Sequence, residues 1–167
     1  MNQNLYPHLF QPLTEVTESD WQKVINTNLT GVFHCMKYEL LQMQKQGRGA
    51  IVNNASIGGL RMAPGFGAYG PSKAGVIAIT QTAALENADK GIRVNVICPG
   101  PTPTPLNTPE KVAEFSTWFA ERCAQHMDMS LPESSVEDQA NAILFFAEDA
   151  SAAVTGQYLI VDHGTTI

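Results

Sequence analysis

A tyrosine and a lysine stand four residues apart in the segment AYGPSK, as Tyr69 and Lys73. In a helix this spacing places both side chains on one face, about one turn apart. A free phenol has a pKa of about 10 and is a poor acid or base at neutral pH, but a neighbouring ammonium favours the phenolate and lowers that pKa. The pair could therefore exchange protons near neutrality. The same spacing also arises by chance in many helices, so the pair alone does not indicate a reaction.

Ser56 is a second candidate, because it directly follows the apolar segment Ala50 to Ala55, which we predict to be a short strand. The carboxyl edge of a parallel sheet is where α/β proteins place their ligands. A hydroxyl there could polarise a substrate carbonyl while a phenol delivers the proton. The alternative is that Ser56 only satisfies the hydrogen bonds of a turn.

The elements that must position these residues begin with a long helix. Thr17 is a candidate cap with Asp20 three residues on, and the helix is predicted to run to about Gln46. Its apolar residues recur every three or four positions and predict a wide buried stripe: Trp21, Val24, Ile25, Leu29, Val32, Phe33, Met36 and Leu40. Asn28 lies on the same face and is therefore expected to point inward, where an amide needs hydrogen-bond partners.

The rest of the chain alternates strands and helices. After the strand at 50–55 we predict a Gly/Pro loop at 57–67, a helix from Ala68 to Asp89, a strand from Arg93 to Cys98 and a final strand from Gln157 to Asp162. Strands that alternate with helices in this way predict a parallel α/β sheet with crossover helices.

Two further helices are predicted on either side of residue 125. Five prolines between Pro99 and Pro109 exclude a helix or a central strand there. Thr108 and Pro109 then begin an amphipathic helix with the apolar positions Val112, Phe115, Trp118 and Phe119. Another helix begins at Ser134, with Glu137 completing a capping box.

Composition narrows the classes of function. The 167 residues are 44% apolar and carry a net charge of −6 from 10 basic and 16 acidic groups. This predicts one domain with its own core, and the lack of a basic cluster argues against nucleic acid or a membrane surface as a partner. Cys35, Cys98 and Cys123 form no metal-binding or redox motif, and no residue set predicts a metal site. Because no signal peptide or membrane span is apparent, we expect a cytoplasmic protein.

Four motifs together resemble the short-chain dehydrogenase/reductase family. They are Asn28 within NTNLTG, Ser56 within IVNNAS, Tyr69 and Lys73 within YGPSK thirteen residues after the serine, and the segment CPGPTPT. The resemblance extends from Pro12 to Thr166, and its specificity lies in the conjunction of the motifs.

The resemblance implies a Rossmann-like, doubly wound parallel sheet and a reaction that interconverts a carbonyl and a secondary alcohol with NAD or NADP. Tyr69 would be the general acid/base, and Lys73 would lower its pKa and hold the nicotinamide ribose. Ser56 would orient the substrate oxygen. Asn28 would hold a water in the proton relay. The substrate would be a small carbonyl or alcohol compound.

The same resemblance assigns roles to the second half of the chain. Pro99, Gly100, Thr102 and Thr104 would border the nicotinamide, and the helix around Phe115 and Trp118 would be a substrate lid. The last strand and the helices at 18–46 and 68–90 would pack between the subunits of a homo-oligomer.

The sequence also departs from the family pattern. The strand and turn TGxxxGxG that hold the cofactor pyrophosphate are absent, so residues 1–167 read as a single, N-terminally truncated domain with only the later strands of the sheet. Gly65, Gly67 and Gly70 fit GxGxxG literally, but they lie in the loop before Tyr69 and not directly after a strand. His163 stands where the family usually has glycine.

Two other interpretations remain compatible with these residues. The chain could be a non-catalytic short form that pairs with full-length subunits, and an open sheet edge at Ala50 to Ala55 would favour such pairing. It could also be a gene-model fragment of a full-length enzyme. The residues do not choose between NAD and NADP, and they do not identify the substrate.

Overall fold

Three parallel strands form the sheet in a computed structural model that describes residues 10–105, 117–128 and 130–166. The strands are β1 (Gly49–Asn54), β2 (Ile92–Pro99) and β3 (Tyr158–Val161), in the order β1-β2-β3. Each lies within two residues of its predicted position. The predicted parallel α/β class is confirmed.

The register of the strands brings their carboxyl ends to one edge. Asn54 of β1 pairs with Ile97 of β2, and Pro99 of β2 pairs with Val161 of β3. The ladder continues one residue past β1, where the Ala55 amide donates to the Ile97 carbonyl at 2.9 Å. Ser56 and the segment after Pro99 therefore emerge side by side.

Five α-helices accompany this sheet in the described residues. They are α1 (Glu18–Ile25), α2 (Gly31–Gln46), α3 (Tyr69–Asn87), α4 (Thr117–Cys123) and α5 (Val136–Ala147). Short 3-10 turns occupy Leu13–Glu15, Ile57–Gly59, Ala88–Lys90 and Asp149–Ser151. The helix predicted at 68–89 is confirmed as α3.

The core lies on both faces of the sheet. On one face α2 and α3 pack on β1 and β2 through residues that include Met36, Ile51 and Val94. On the other face Phe146 of α5 packs against Ile97 of β2. Because β2 is the central strand and is covered on both sides, its residues from Val94 to Cys98 are completely buried.

One arginine attaches α5 to the central strand. A guanidinium nitrogen of Arg93 in β2 donates to the Phe146 carbonyl and to the Ser151 hydroxyl, both at 2.7 Å. The other terminal nitrogen donates to the Glu148 carbonyl at 3.1 Å. These contacts satisfy carbonyls at the C-terminus of the helix, where the helix dipole also favours a cation.

The predicted helix from 18 to 46 has the expected extent but contains a π-helical turn at Asn26–Thr30. The Gly31 amide donates to the Asn26 carbonyl, five residues back. Hydrophobic periodicity cannot reveal such a turn, since the spacing of the apolar residues is the same before and after it. The predicted cap at Thr17 is confirmed, because its hydroxyl accepts from the Asp20 amide at 3.1 Å.

The stripe predicted on this helix is narrower than expected. Val24 and Met36 are buried, but Trp21 and Phe33 are 36% and 46% exposed. The periodicity identifies the apolar face correctly. However, α3 and the sheet cover only part of that face, so burial of Trp21 and Phe33 was a wrong prediction.

The cap of α5 also differs from its prediction by one residue. The capping box is formed by Ser135 and Asp138, and not by Ser134 and Glu137. Ser134 is buried and its hydroxyl donates instead to the Val161 carbonyl at 3.1 Å. Two adjacent serines, each followed three residues later by an acid, leave the register open in the sequence.

Some expectations fall outside the described residues. The start of the amphipathic helix at Thr108 and Pro109, together with Val112 and Phe115, lies in the segment 106–116. Within the described part of that helix, Phe119 is buried and Trp118 is 38% exposed. Cys98 is buried, and none of the three cysteines is in a disulfide.

Among the helices that the structure describes, none has the length and apolar character needed to cross a membrane. The cytoplasmic location stays a prediction.

A substitution at Gly59 would test how closely the loop after β1 approaches α3. A Cβ on this residue would lie 2.7 Å from the Lys73 carbonyl carbon and 2.8 Å from the Ala74 nitrogen, and both atoms belong to the helix backbone. We expect Gly59→Ala to lower the free energy of unfolding by about 1–3 kcal/mol or more, as overpacking does. Urea denaturation measures this.

Gly31→Ala is the matched control, since its added Cβ meets nothing nearer than the Asn26 oxygen at 3.6 Å. It should be neutral or stabilising. Equal stability of the Gly59→Ala variant and the unmodified chain would contradict the close approach.

Candidate active site

Ser56 occupies the turn directly after β1. It caps the 3-10 turn Ile57–Gly59, and its hydroxyl accepts from the Gly58 amide at 3.0 Å. This bond satisfies a turn, as the simpler interpretation of Ser56 expected. The same side chain also forms a hydrogen bond with the Tyr69 phenol. Ser56 therefore joins the strand end to the first residue of α3.

Tyr69 is the first residue of α3 and is half-buried. Burial raises its pKa above the ordinary value of about 10, and the hydrogen bond with Ser56 opposes this increase. The prediction that a neighbouring ammonium lowers the pKa of this phenol below the ordinary value is therefore wrong for the chain by itself. Desolvation disfavours the phenolate more than the surrounding groups stabilise it.

Lys73 lies one turn along α3, on the same face as Tyr69. Its Nζ is 5.8 Å from the centre of the phenol ring and donates to the Asn54 carbonyl at 3.1 Å. Burial lowers the pKa of the ammonium. The lysine thus ties the helix to the end of β1 and presents its charge beside the ring.

Asn28 is held by a contact with α3. Its side-chain Nδ2 donates to the Ser72 hydroxyl at 3.1 Å, and that hydroxyl donates to the Tyr69 carbonyl at 2.7 Å. Ser72 is completely buried. The expectation that the Asn28 amide points inward to a hydrogen-bond partner is confirmed, and the partner belongs to the helix that carries Tyr69 and Lys73.

Cys98 is a neighbour of the site that sequence reasoning did not connect with it. The thiol is completely buried at the end of β2, beside the Ser56 amide and the Lys73 ammonium. Burial raises its pKa to about 11, although both neighbours act to lower it. The sequence offered no signal for this contact, because it depends on the pairing of β1 with β2.

The segment after β2 carries the residues expected to border a nicotinamide. The Gly100 amide donates to the Val161 carbonyl at 3.0 Å, which continues the ladder past Pro99. The Thr102 hydroxyl donates to the Gly100 carbonyl at 3.1 Å. Thr104 is half-buried in the same segment. These residues lie at the sheet edge from which Ser56 emerges.

Comparison with known proteins agrees with this arrangement. A family model described as enoyl-(acyl carrier protein) reductase matches residues 3–166. A 3-oxoacyl-[acyl-carrier-protein] reductase of Thermotoga maritima is 41% identical over 155 residues, which are 93% of this chain and 61% of the relative. The chain belongs to the short-chain dehydrogenase/reductase family.

Other dehydrogenases and reductases are also similar to this chain over most of its length. A 3beta-hydroxysteroid dehydrogenase of Mediterraneibacter gnavus is 37% identical over 91% of this chain and 60% of its own length. Among solved structures, a xylitol dehydrogenase with NAD+ bound has a TM-score of 0.83 at 34% identity, and covers 95% of this chain and 65% of its own. The structure of ElxO with NADP bound has a TM-score of 0.80 at 40% identity, over 93% of this chain and 61% of that one. The chain thus spans about 60% of the length of the curated relatives that it matches.

Two sequence features that stood apart from the family motifs are resolved by the fold. Gly65 and Gly67 lie in the loop between β1 and α3, and Gly70 lies inside α3, so they form no phosphate-binding turn. His163 adopts a φ of +52°, in the left-handed region that favours glycine. Its Nε2 is 3.7 Å from an Asp138 carboxylate oxygen, which places this family departure at the cap of α5.

Gln139 is a second residue that the sequence did not single out. This side chain of α5 is buried, and its Nε2 donates to the Thr102 hydroxyl at 3.3 Å and to the Val161 carbonyl at 3.1 Å. Its Oε1 is buried and has no hydrogen-bond partner in the described part of the chain. Gln139 thus holds the segment after β2 against α5 at the cost of an unsatisfied oxygen.

Replacing Gln139 by leucine separates the effect of its hydrogen bonds on the segment after β2 from the cost of its unsatisfied oxygen. Gln139→Leu removes both hydrogen bonds to the segment and also the unsatisfied oxygen, so we expect little loss of thermal stability. Amide hydrogen exchange in residues 100–105 should accelerate because Thr102 loses its contact with α5.

Asn141→Ala on the exposed side of the same helix is the control and should leave that exchange unchanged. If exchange in the Gln139→Leu variant equals that of the unmodified chain, Gln139 does not hold the segment.

Proposed function

We propose that this member of the family interconverts a carbonyl and a secondary alcohol with NAD or NADP, and that Tyr69 is its general acid/base. The observation that carries the proposal is the convergence of Ser56, Tyr69 and Lys73. Ser56 comes from the end of β1 and forms a hydrogen bond with the phenol of Tyr69, at the start of α3. Lys73 lies one helical turn further on, with its ammonium 5.8 Å from the centre of the phenol ring.

Tyr69 would give its proton to the substrate oxygen in reduction and take it back in oxidation. Burial keeps the phenol protonated at neutral pH, which is the form that reduction requires. Ser56 would hold the same substrate oxygen, since its hydroxyl already lies against the phenol. A polarised carbonyl oxygen between the two hydroxyls is then the natural proton acceptor.

Lys73 and Asn28 would support the proton transfer. The Lys73 ammonium stands 5.8 Å from the centre of the phenol ring and would stabilise negative charge that develops there during the reaction. Asn28 would hold a water of the relay. Its Nδ2 is already bonded to Ser72, whereas its side-chain oxygen has no hydrogen-bond partner within the described residues. That oxygen is available to accept from a water.

The cofactor would supply or accept the hydride. Lys73, Pro99, Gly100, Thr102 and Thr104 would hold its nicotinamide end, because they lie together at the carboxyl edge of β1 and β2. The relatives solved with NAD+ and with NADP support a nicotinamide cofactor without choosing between the two forms. The names of the curated relatives range from a hydroxysteroid dehydrogenase to an acyl-carrier-protein reductase and a cyclohexanol dehydrogenase, so they support a carbonyl or alcohol substrate and no single compound.

A second candidate is a non-catalytic subunit that pairs with other copies or with full-length family members. Its support is the apolar surface of the helices, where Phe33, Tyr38 and Leu85 are 46%, 66% and 84% exposed. The edge of β1 is also open in the described residues, since β1 pairs only with β2. Both features favour association with another chain.

Titration of the purified 167-residue chain with each nicotinamide cofactor distinguishes the two candidates. If the chain binds a cofactor, its melting temperature should rise in a saturable manner, because the ligand stabilises the folded state by RT ln(1 + [L]/Kd), or about 2.7 kcal/mol at 100 times Kd. No shift at millimolar cofactor, together with self-association in analytical ultracentrifugation, would favour the non-catalytic subunit.

Tyr69→Phe is the accompanying variant. Removing the phenol oxygen should lower turnover by about 10²–10⁴-fold, as expected for loss of a general acid. The thermal shift caused by the cofactor should remain. Turnover that survives this substitution would refute Tyr69 as the acid/base.

The pKa of Tyr69 provides a test that needs no substrate. The Ser56 hydrogen bond lowers this pKa, so Ser56→Ala should raise it further above its already elevated value. Ultraviolet titration of tyrosinate absorbance, with the Tyr69→Phe spectrum subtracted, measures the change. Ser130→Ala, at an exposed serine that contacts Asp128, should cause none. A Tyr69 pKa that stays the same or falls in Ser56→Ala would contradict the contact.

A further inference from the structure

Three phenyl rings from separate parts of the chain form a cluster beside the Tyr69 ring, and two of them contact it directly. Phe10 precedes α1, Phe66 lies in the loop between β1 and α3, and Phe119 belongs to α4. The centroids of the Phe10 and Phe66 rings are each 5.8 Å from that of Tyr69, and Phe66 meets the tyrosine edge to face. The Phe119 ring completes the group at 4.8 Å from Phe10 and 6.1 Å from Phe66.

The backbone is shaped to admit two of these rings. A Cβ on Gly58 would lie 2.6 Å from the Phe66 ring, and a Cβ on Gly65 would lie 2.5 Å from the Phe119 ring. Gly58 also holds the Ser56 side chain in place, since the Gly58 N–H donates to the Ser56 hydroxyl oxygen. The positions of the rings are therefore part of the packing that sets Ser56 and Tyr69 together.

The cluster offers a substrate no hydrogen bonds of its own. Within the residues that the structure describes, the polar side chains recorded against the Tyr69 phenol are the Ser56 hydroxyl, which would take the reacting oxygen, and the Lys73 ammonium, which donates to the Asn54 carbonyl. A carboxylate or a row of hydroxyls placed against phenyl rings would lose water without gaining hydrogen-bond partners, and the penalty is larger for the charged group than for the neutral ones. Flat apolar groups instead stack favourably on such rings.

We propose that the site accepts a carbonyl or secondary alcohol whose reacting carbon bears an uncharged, apolar and preferably planar substituent, and that Phe66 and Phe119 determine this specificity. The proposal rests on the proposed function, because it takes Tyr69 as the group that faces the reacting oxygen. It deepens that function by naming the class of substrate.

Binding to the full 167-residue chain tests the proposal separately from turnover. The probes are acetophenone, its para-carboxylate and dihydroxyacetone, each followed by ligand-observed NMR titration with cofactor present and absent. Acetophenone should bind in a saturable manner, and the other two should bind at least about tenfold more weakly, since 1.4 kcal/mol corresponds to a factor of ten. Tyr69→Phe should retain acetophenone binding.

Variants locate the binding to the rings. Phe119→Ser and Phe66→Ser should weaken acetophenone binding at least about tenfold, whereas Phe33→Ser, at an exposed ring on α2, should leave it unchanged. Where a serine variant fails to fold, Phe119→Leu and Phe66→Leu replace it. These should weaken binding to acetophenone more than to cyclohexyl methyl ketone, because only the planar ligand loses its stacking partner.

The two proposals fail in different ways. Acetophenone binding that depends on Phe66 and Phe119, without any reduction by cofactor, would contradict the proposed function and leave the specificity standing. Reduction of dihydroxyacetone or the para-carboxylate as efficiently as acetophenone would overturn the specificity and leave the function standing. Absence of acetophenone binding, or binding unaffected by either phenylalanine substitution, would also overturn it.

Discussion

The fit between the loop after β1 and the first turns of α3 determines where the reactive groups lie. Gly59 brings the loop so close to the helix that the Lys73 and Ala74 backbone atoms stand within 3 Å of the position a Cβ would take. The Lys73 ammonium reaches back to the Asn54 carbonyl, so strand end and helix are joined at a second point. Because Ser56 lies between these two contacts, its hydroxyl is held against the Tyr69 phenol.

The opposite side of α3 is fixed by a buried polar contact. Ser72 is completely buried, so its hydroxyl must find partners, and it finds them in Asn28 and in the Tyr69 carbonyl. The π-helical turn at Asn26–Thr30 supplies the asparagine to this contact. π-Helical turns within α-helices are frequent at functional sites, and this one ties a third segment of the chain to the helix that carries Tyr69. The site is thus a consequence of how three elements close on one another.

The sequence was informative where chemistry depends on neighbours along the chain. The order of strands and helices, the Tyr69–Lys73 spacing and the inward amide of Asn28 could all be predicted, because each depends on the period of a single element. Cys98 and Gln139 could not. The first meets Ser56 through the pairing of β1 with β2, and the second meets Thr102 through the packing of α5, 37 positions away along the chain. Periodicity identifies the apolar face of a helix, but it does not show how much of that face the neighbouring elements cover. The exposure of Trp21 and Phe33 could therefore not be predicted from it.

Burial acts on Tyr69 and Lys73 in opposite directions and moves both toward their neutral forms. It raises the pKa of the phenol and lowers the pKa of the ammonium. The lysine charge was expected to lower the pKa of the phenol more than burial raises it. However, the ammonium is directed to the Asn54 carbonyl and stands 5.8 Å from the centre of the ring. The phenyl rings that exclude water from Tyr69 therefore have a chemical effect as well as a packing effect. Under the proposed function they would hold the phenol in its protonated form at neutral pH, which is the form that carbonyl reduction needs. Alcohol oxidation would require further stabilisation of the phenolate.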